Sequence, residues 1–441
     1  MNILLIGQCT LHWGRMEFGN IGNYYILEPM IRQLHAAFPM STIRTTFQLS
    51  DRFCTDENIQ VLPMELYYGW TGKDLNAAEA ELAITEEYKK SGRLNGSTAF
   101  IAAVEWADLV VDFSGDIWGD NANFLGPNRF EVGLMKDQVA MNLGKKTAMI
   151  AGSPGPFTDD RTRELAKQVY AGFDLVTNRE SISTELLKEN GFDISRTKSL
   201  ACPAFLFEPL PADKTAVLLA RENISREFRS TPVVGFVLCG WNFLEGPFDK
   251  WPRADAEYRL FAEAVEYISE KLGAKVVLLS HSNGFDVPVV EFSLKHGRDY
   301  PVIKQLQKVI AGRGSAKNVV ALDGVYDAWE SKAIIGSFDM LVSGRVHAAV
   351  AGLSQLVPTV IIDYGHEPKA HKLRGFAQVA GAQNFVADPA KEMELVKKIE
   401  MCWTQRKEYR QRLKETMPHT KHLSEQNFVS LQQLFSTGPD V

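Results

Sequence analysis

Arg345 and His347 stand one residue apart in Ser343-Gly344-Arg345-Val346-His347-Ala348-Ala349, directly after the apolar run Met340 to Val342 and at the start of a small-residue helix. A helix start carries unpaired N–H groups and a partial positive charge, so anions settle there. Arg345 adds a planar fork for phosphate or carboxylate, and His347 adds a group that carries a proton near neutral pH. Ser343 and Gly344 complete the expected anion crown. An isolated Arg-x-His reads more readily as a structural ion pair beside an interior histidine; the position between strand end and helix start reverses that preference in favour of the anion site.

Other candidates fall at the ends of further apolar runs. Thr359 to Ile362 leads into Asp363-Tyr364-Gly365-His366-Glu367-Pro368-Lys369-Ala370-His371-Lys372, where Lys369 or Lys372 is placed to share an anion with Arg345. His366 and His371 are five apart with Pro368 between them, which excludes the zinc-protease helix pattern. Leu109 to Phe113 ends in Ser114-Gly115-Asp116, with Asp120 beyond; Asp116 is placed to orient or deprotonate a hydroxyl, with turn formation as the plain alternative. Leu175 to Thr177 runs through Asn178 into Arg179, which serves either an anion across a cleft or an ion pair near Glu180. His281 and Asp286 flank Asn283-Gly284 and suit one wall of a cleft. Gly19-Asn20-Ile21-Gly22-Asn23 permits close backbone approach, with Asn20 and Asn23 as ligand contacts, although a plain strand-to-helix loop needs the same residues. No phosphate-binding lysine loop, calcium loop or metal-ligand spacing occurs, so no cofactor or metal is called for.

These residues need elements to hold them. At 441 residues, with 45% hydrophobic and 23% charged, the chain has ordinary globular composition and the length of two domains. Continuous apolar runs alternating with helical patterns are the mark of parallel strands buried on both faces. They lie at Ile3 to Ile6, Leu109 to Phe113, Thr147 to Ala151 and Leu175 to Thr177, then at Val233 to Leu238, Val276 to Leu279, Val319 to Leu322, Met340 to Val342 and Thr359 to Ile362. Helices are expected over Tyr25 to Phe38, Thr162 to Tyr170, Ser183 to Lys188, Ala254 to Leu272 and Ala348 to Leu353. The predicted class is α/β, with two doubly wound Rossmann-like domains. Residues 1–208 form the first and residues 209–390 the second. Charged helices over residues 391–441 pack back on the first. Open sheets of this kind bind ligands beyond the carboxyl ends of their strands, which is where every candidate above falls.

Lys plus Arg number 48 against 54 Asp plus Glu, a net charge of −6, so no global charge draws the chain to nucleic acid, and an anionic substrate must be held locally. The five cysteines are scattered without a paired motif, which fits a reducing cytoplasm. No apolar run approaches the ~20 residues of a membrane span, and Met1 to Gly7 reads as a first strand rather than a signal peptide.

Taken in order, these segments resemble the polysaccharide pyruvyl transferase family. The resemblance rests on Gly19 to Asn23, Asp112 to Asp116, Ala151-Gly152-Ser153-Pro154-Gly155-Pro156-Phe157, Asn178-Arg179-Glu180-Ser181-Ile182-Ser183, Ser343 to Ala348 and Lys372-Leu373-Arg374-Gly375-Phe376, collinear over roughly residues 1–385. It implies a glycosyltransferase-B-like fold with two Rossmann-like domains facing a cleft, residues 1–208 on the acceptor side and residues 209–390 on the donor side. It also implies phosphoenolpyruvate as donor, a sugar or glycan acceptor that is free, lipid-linked or nucleotide-linked, and a ketal-linked pyruvate as product, with Arg345 and His347 as donor-binding and catalytic residues. The chain departs from the family at Asn23 (usually Asp), at Ser114-Gly115-Asp116 (usually a glycine run), at Cys202 (usually Asp) and at Cys239-Gly240-Trp241, where relatives commonly carry an arginine. A nucleotide-sugar glycosyltransferase or epimerase of the same architecture, and a non-catalytic binding relative, are the alternative readings.

Overall fold

A computed structural model describes residues 1–8, 21–49, 51–224, 231–248, 250–283, 298–364 and 370–436. Asn20, Asp286, His366 and Lys369, singled out above, lie outside the described residues. The apolar runs form strands because neighbouring segments cover both of their faces: all four residues of Leu109–Asp112, for example, are buried.

Seven strands make the first sheet: β1 (Asn2–Ile6), β2 (Thr42–Thr45), β3 (Ile59–Val61), β4 (Leu109–Asp112), β5 (Lys146–Gly152), β6 (Leu175–Asn178) and β7 (Thr197–Ser199), in the order β3-β2-β1-β4-β5-β6-β7. Six make the second: β8 (Val233–Val237), β9 (Lys275–Leu278), β10 (Val319–Ala321), β11 (Met340–Ser343), β12 (Thr359–Ile362) and β13 (Val386–Ala387), in the order β10-β9-β8-β11-β12-β13. Every pairing is parallel, with Leu5 opposite Val111 in the first sheet and Leu341 opposite Gly235 in the second. In each sheet the chain order reverses beside the first strand, between β1 and β4 and between β8 and β11. Those reversals are where such folds open a crevice. The expected strands are all present; β2 and the edge strands β3, β7 and β13 add to them.

The helix Val346–Ser354 is the seam between the halves. Its Ala348, Ala349, Val350, Ala351 and Gly352 are buried, and it packs on the first-half helix Ile21–Ala37 as well as on its own sheet. Small residues are required for that double contact: a Cβ on Gly352 would stand 2.7 Å from Thr359 Oγ1 and 2.9 Å from Leu341 Cδ2. The stretch expected as one helix from Ala254 to Leu272 divides into a 3-10 turn (Asp255–Tyr258), an α-helix (Arg259–Glu266) and a π-helical turn (Tyr267–Lys271).

At the C-terminal end, Glu394–Thr404 and Arg406–Ser436 are helical. The second of these spans both sheets. Tyr409 stacks on Phe385 at 4.0 Å and donates to the Thr359 carbonyl (3.2 Å). Further along, Ser424 donates to the Cys202 carbonyl (2.9 Å), and Asn427 accepts from Thr177 (2.6 Å) and donates to the Ala201 carbonyl (2.9 Å). One apolar cluster runs from Ile3 and Leu5 through Phe205 to Val234 and Leu341, so the halves share a continuous core beneath their facing strand ends. Among the described residues, no helix is long and apolar enough to cross a membrane.

Candidate active site

A cavity of about 100 Å³ opens where the carboxyl ends of the two sheets meet. From the first half its lining takes Gly22, Asn23, Asp116 and Arg179; from the second it takes Trp241, His281, Arg345, His347, Tyr364 and Lys372. Seven of the residues chosen above for their position in the sequence therefore line one cavity. Ser343 and Gly344 do not line it. Ser343 is fully buried, and its hydroxyl donates to the Arg345 carbonyl (2.8 Å) and accepts from the Arg345 N–H (3.2 Å). Gly344 packs so closely on Asn242 that a Cβ would stand 1.9 Å from Oδ1. The expected anion crown is instead a brace: both residues spend their polar groups fixing the backbone that aims Arg345.

Arg345 caps the seam helix, and its guanidinium is gripped from behind by Asp299, the fully buried first residue of the helix Asp299–Gly312, with Nε to Oδ2 at 3.0 Å and NH2 to Oδ1 at 2.5 Å. Burial opposes the charge, but the Asp299 carboxylate outweighs it and holds Arg345 above the ordinary arginine range. A carboxylate that fixes the fork without covering it leaves a preoriented cation, 20% exposed, facing the cavity. Asp299 escaped the sequence reading because its partner is 46 positions away.

Arg179 reaches the same space from the end of β6. It is 2% exposed, donates from Nε to Ser153 Oγ (2.8 Å) and lies 5.1 Å over the Phe376 ring. Ser153 in turn donates to Glu180 (3.2 Å), whose other oxygen caps the helix Ser181–Glu189 through the Ser183 N–H (2.9 Å). Arg179 is thus anchored through Ser153 beside Glu180 and lines the cavity. Lys372, 1% exposed, crosses from the second half and donates to the Asp116 carbonyl (2.7 Å), which also explains the position of Asp116. Gly375, one turn further, lets Glu180 approach: a Cβ there would stand 2.5 Å from Oε2.

His347 stands among these cations. Burial first, then Arg179 and Arg345, push its pKa down to about 3 against the opposing pull of Asp116. These surroundings disfavour the proton that the sequence reading places on His347 near neutral pH. Gly22 touches this ring: a Cβ would come within 2.5 Å of His347 Nδ1. On the other ring nitrogen, Cys202 Sγ lies 3.9 Å from Nε2. The departure at position 202 thus puts a thiol, held above its usual range by burial, beside the imidazole. The Cys239 thiol, pushed up to about 12 chiefly by burial, donates to the Gly344 carbonyl (3.1 Å). Both thiols are protonated at neutral pH and are poor nucleophiles.

His281 is 2% exposed and edge-on to Tyr25 at 5.5 Å; its Nε2 has no hydrogen-bond partner among the described residues. Burial, reinforced by Arg345 and His347, keeps it well below the usual histidine pKa, so it too is a neutral imidazole. Among the described residues, the lining therefore presents Arg179, Arg345 and Lys372 as cations against the carboxylate of Asp116, with His281 and His347 between them.

The polysaccharide pyruvyl transferase family model matches residues 20–366. Amylovoran biosynthesis protein AmsJ of Erwinia amylovora is 24% identical over 384 residues, covering 83% of this chain and 84% of that protein. Among solved structures, a glycosyltransferase from Rickettsia africae superposes with a TM-score of 0.60 at 11% identity, covering 99% of both chains. A putative UDP-N-acetylglucosamine 2-epimerase from Listeria monocytogenes gives 0.57 at 12% identity, with coverage of 98% of this chain and 96% of the other. At that identity the two structures establish a shared glycosyltransferase-B-like fold.

Proposed function

Because the chain belongs to the polysaccharide pyruvyl transferase family, we propose that it moves a pyruvyl group from phosphoenolpyruvate to two hydroxyls of a sugar or glycan, leaving a ketal. The observation that carries this reading is the convergence of Arg345, Arg179, Lys372 and His347 on one cavity of about 100 Å³. Cavities for drug-sized ligands run to roughly 300 Å³ and more, so this one suits a small, highly charged anion. In the proposed division, residues 1–208 and 209–390 act as two domains whose closure forms that cavity.

In the proposed reaction the three cations hold the donor's phosphate and carboxylate, and the phosphate dianion lets His347 keep a proton. His347 gives that proton to the methylene carbon, which becomes a methyl group, and the adjacent carbon becomes oxocarbenium-like. The first acceptor hydroxyl adds there and loses its proton to Asp116. Phosphate leaves with the bridging oxygen and takes up the proton from Asp116. The second hydroxyl then adds to the same carbon, closes the ketal and returns a proton to His347. Arg345 carries the largest share of the charge on the departing phosphate, because Asp299 fixes its fork beforehand. Asn23 and His281 line the remaining wall and are assigned to the acceptor hydroxyls.

Thermal melts of the purified protein with phosphoenolpyruvate, uridine diphosphate and guanosine diphosphate test the donor. Phosphoenolpyruvate is expected to raise the melting temperature more than either nucleotide does. Stabilisation by a nucleotide and none by phosphoenolpyruvate would transfer the reading to nucleotide-sugar chemistry.

A further inference from the structure

An imidazole that transfers a proton to a ligand does so through one of its two ring nitrogens, and the partner of the other decides which. In His347 the two have different surroundings. Gly22 adjoins Nδ1: a Cβ there would fall 2.5 Å from Nδ1 and 3.0 Å from Cγ, and Gly22 itself lines the small cavity, so the missing methyl group leaves that nitrogen open to a ligand. Nε2 is turned to Cys202, whose Sγ lies 3.9 Å away. Phe376 packs edge-on against the ring, with centroids 5.8 Å apart and planes at 79°, and restricts its rotation.

The fold holds Cys202 for this contact. It caps the 3-10 turn Pro203–Leu206, which packs on the helices Ile21–Ala37, Val346–Ser354 and Arg406–Ser436. The last of these also fixes the backbone at position 202: Ser424 donates to the Cys202 carbonyl (2.9 Å) and Asn427 to the adjacent Ala201 carbonyl (2.9 Å). The thiol is fully buried, and the Arg179 guanidinium, with its Nε on Ser153 (2.8 Å), acts on it by charge and hydrogen bonding. The sulfur therefore stands between a guanidinium and an imidazole. A thiol there accepts a weak hydrogen bond and adds no charge of its own.

We propose that Cys202 is a positioning residue for His347: its sulfur accepts the Nε2–H and leaves Nδ1 as the nitrogen that gives a proton to the donor and later recovers one. The chemical identity of the ligand rests on the pyruvyl-transfer reading, whereas the division between the two nitrogens rests on the contacts of the ring. In the transfer the Nδ1–H bond breaks, its electron pair stays on nitrogen, and the electron pair of the enol double bond forms the new C–H bond of the methyl group. The ring is left neutral with its remaining proton on Nε2. The second acceptor hydroxyl then returns a proton to Nδ1. No bond to sulfur is made or broken, as suits a buried thiol that keeps its proton.

Nitrogen-15 NMR of the full chain with labelled histidines tests this, the His347 resonances being identified by their loss in His347→Gln. Without ligand at neutral pH, His347 is expected to carry its proton on Nε2, and saturating phosphoenolpyruvate is expected to move the Nδ1 resonance while Nε2 keeps its proton. Cys202→Ala is expected to lower kcat about tenfold in a phosphate-release assay, with KM for phosphoenolpyruvate within about twofold, and to reduce the Nε2–H form. Cys202→Asn has nearly the same volume and a carbonyl oxygen that accepts from Nε2, so it is expected to keep kcat within about threefold of the wild type. A proton on Nδ1 in the ligand-free wild type, or an alanine variant with unchanged kcat, would overturn the role of Cys202. If phosphoenolpyruvate moves neither resonance, the donor reading fails instead, and the position of the proton in the wild type and the alanine variant still decides the role of the thiol.

Discussion

At the carboxyl end of the second sheet, the crevice between β8 and β11 opens onto Arg345 and His347. In the first sheet, with the same strand order, the ends of β1 and β4 are tied together by polar groups that bond to one another. Gln8 donates its backbone N–H to the Ser114 hydroxyl oxygen (2.9 Å) and its side-chain amide to the Arg129 carbonyl (3.0 Å); Ser114 donates to Asp112 (2.9 Å). The Arg129 guanidinium, as buried as Arg179, lies 4.9 Å over Tyr68 and 5.0 Å over Trp70. Two sheets of one topology therefore treat the same position in opposite ways. Topology supplies a crevice, and the side chains decide whether it is filled or kept open. The open one is lined with cations; the filled one holds the buried acids Asp112 and Asp137.

Breaking the open crevice should abolish chemistry. His347→Gln keeps the shape and removes the proton donor, so turnover should fall by roughly 10²–10⁴-fold in a phosphate-release assay, with little change in the melting temperature. Gly22→Ala attacks the same ring through space: the added methyl lies where His347 Nδ1 is, and a displaced imidazole should lower turnover by about 10²-fold, with donor affinity much less affected.

Changes in the filled crevice should move stability and leave donor binding alone. Burial raises the pKa of Asp112 and Asp137 above the ordinary carboxyl range, and for Asp137 the neighbouring Asp112 adds to it. Between the ordinary range and the raised values, the folded protein keeps protons that the unfolded chain has released. Stability therefore falls as pH rises through that window. Asp137→Asn removes one of the two charges and should stabilise the protein by about 1–3 kcal/mol at pH 8 and by little near pH 4, as read by melts at both pH values. An equal gain at both would mean that the acids are not the cause.

The smallest expected effect sharpens the contrast from within the open site. Cys202→Asp restores at this position the carboxylate usual in the family and places it beside His347 Nε2. It should raise the pH at which His347 loses its proton, as followed by histidine NMR in the absence of ligand. No movement of that titration would show that position 202 does not tune the imidazole.

How far the sequence discloses this arrangement depends on the range of the forces involved. Ile3 to Ile6 and Val233 to Leu238 are legible as strands because burial on both faces demands a continuous apolar run. Thr42–Thr45, Thr197–Ser199 and Val386–Ala387 lie at or near sheet edges, need no such run, and leave no signal. The helix Arg129–Asn142 hides Arg129, Glu131, Lys136 and Asp137 in its buried face, where charges ordinarily signify solvent. In the site, Arg345, His347, Asp116 and Arg179 are legible because strand ends are where ligands bind. Asp299, Tyr364 and Gly22 contribute through contacts made only on folding, and Ser343 and Gly344 prove to brace Arg345 instead of facing the cavity.

The central claim is that the Arg345 fork, set by Asp299, binds the donor anion. Titration calorimetry of phosphoenolpyruvate into the wild type and into the double variant Arg345→Gln/Asp299→Asn tests it most directly, because replacing both partners leaves no buried orphan charge to unfold the protein. The account predicts measurable binding to the wild type and a loss of at least about tenfold in the variant, as expected for a charge-assisted contact worth ~1.5–3 kcal/mol. Equal affinity in the two proteins, or no binding to the folded wild type, would contradict it.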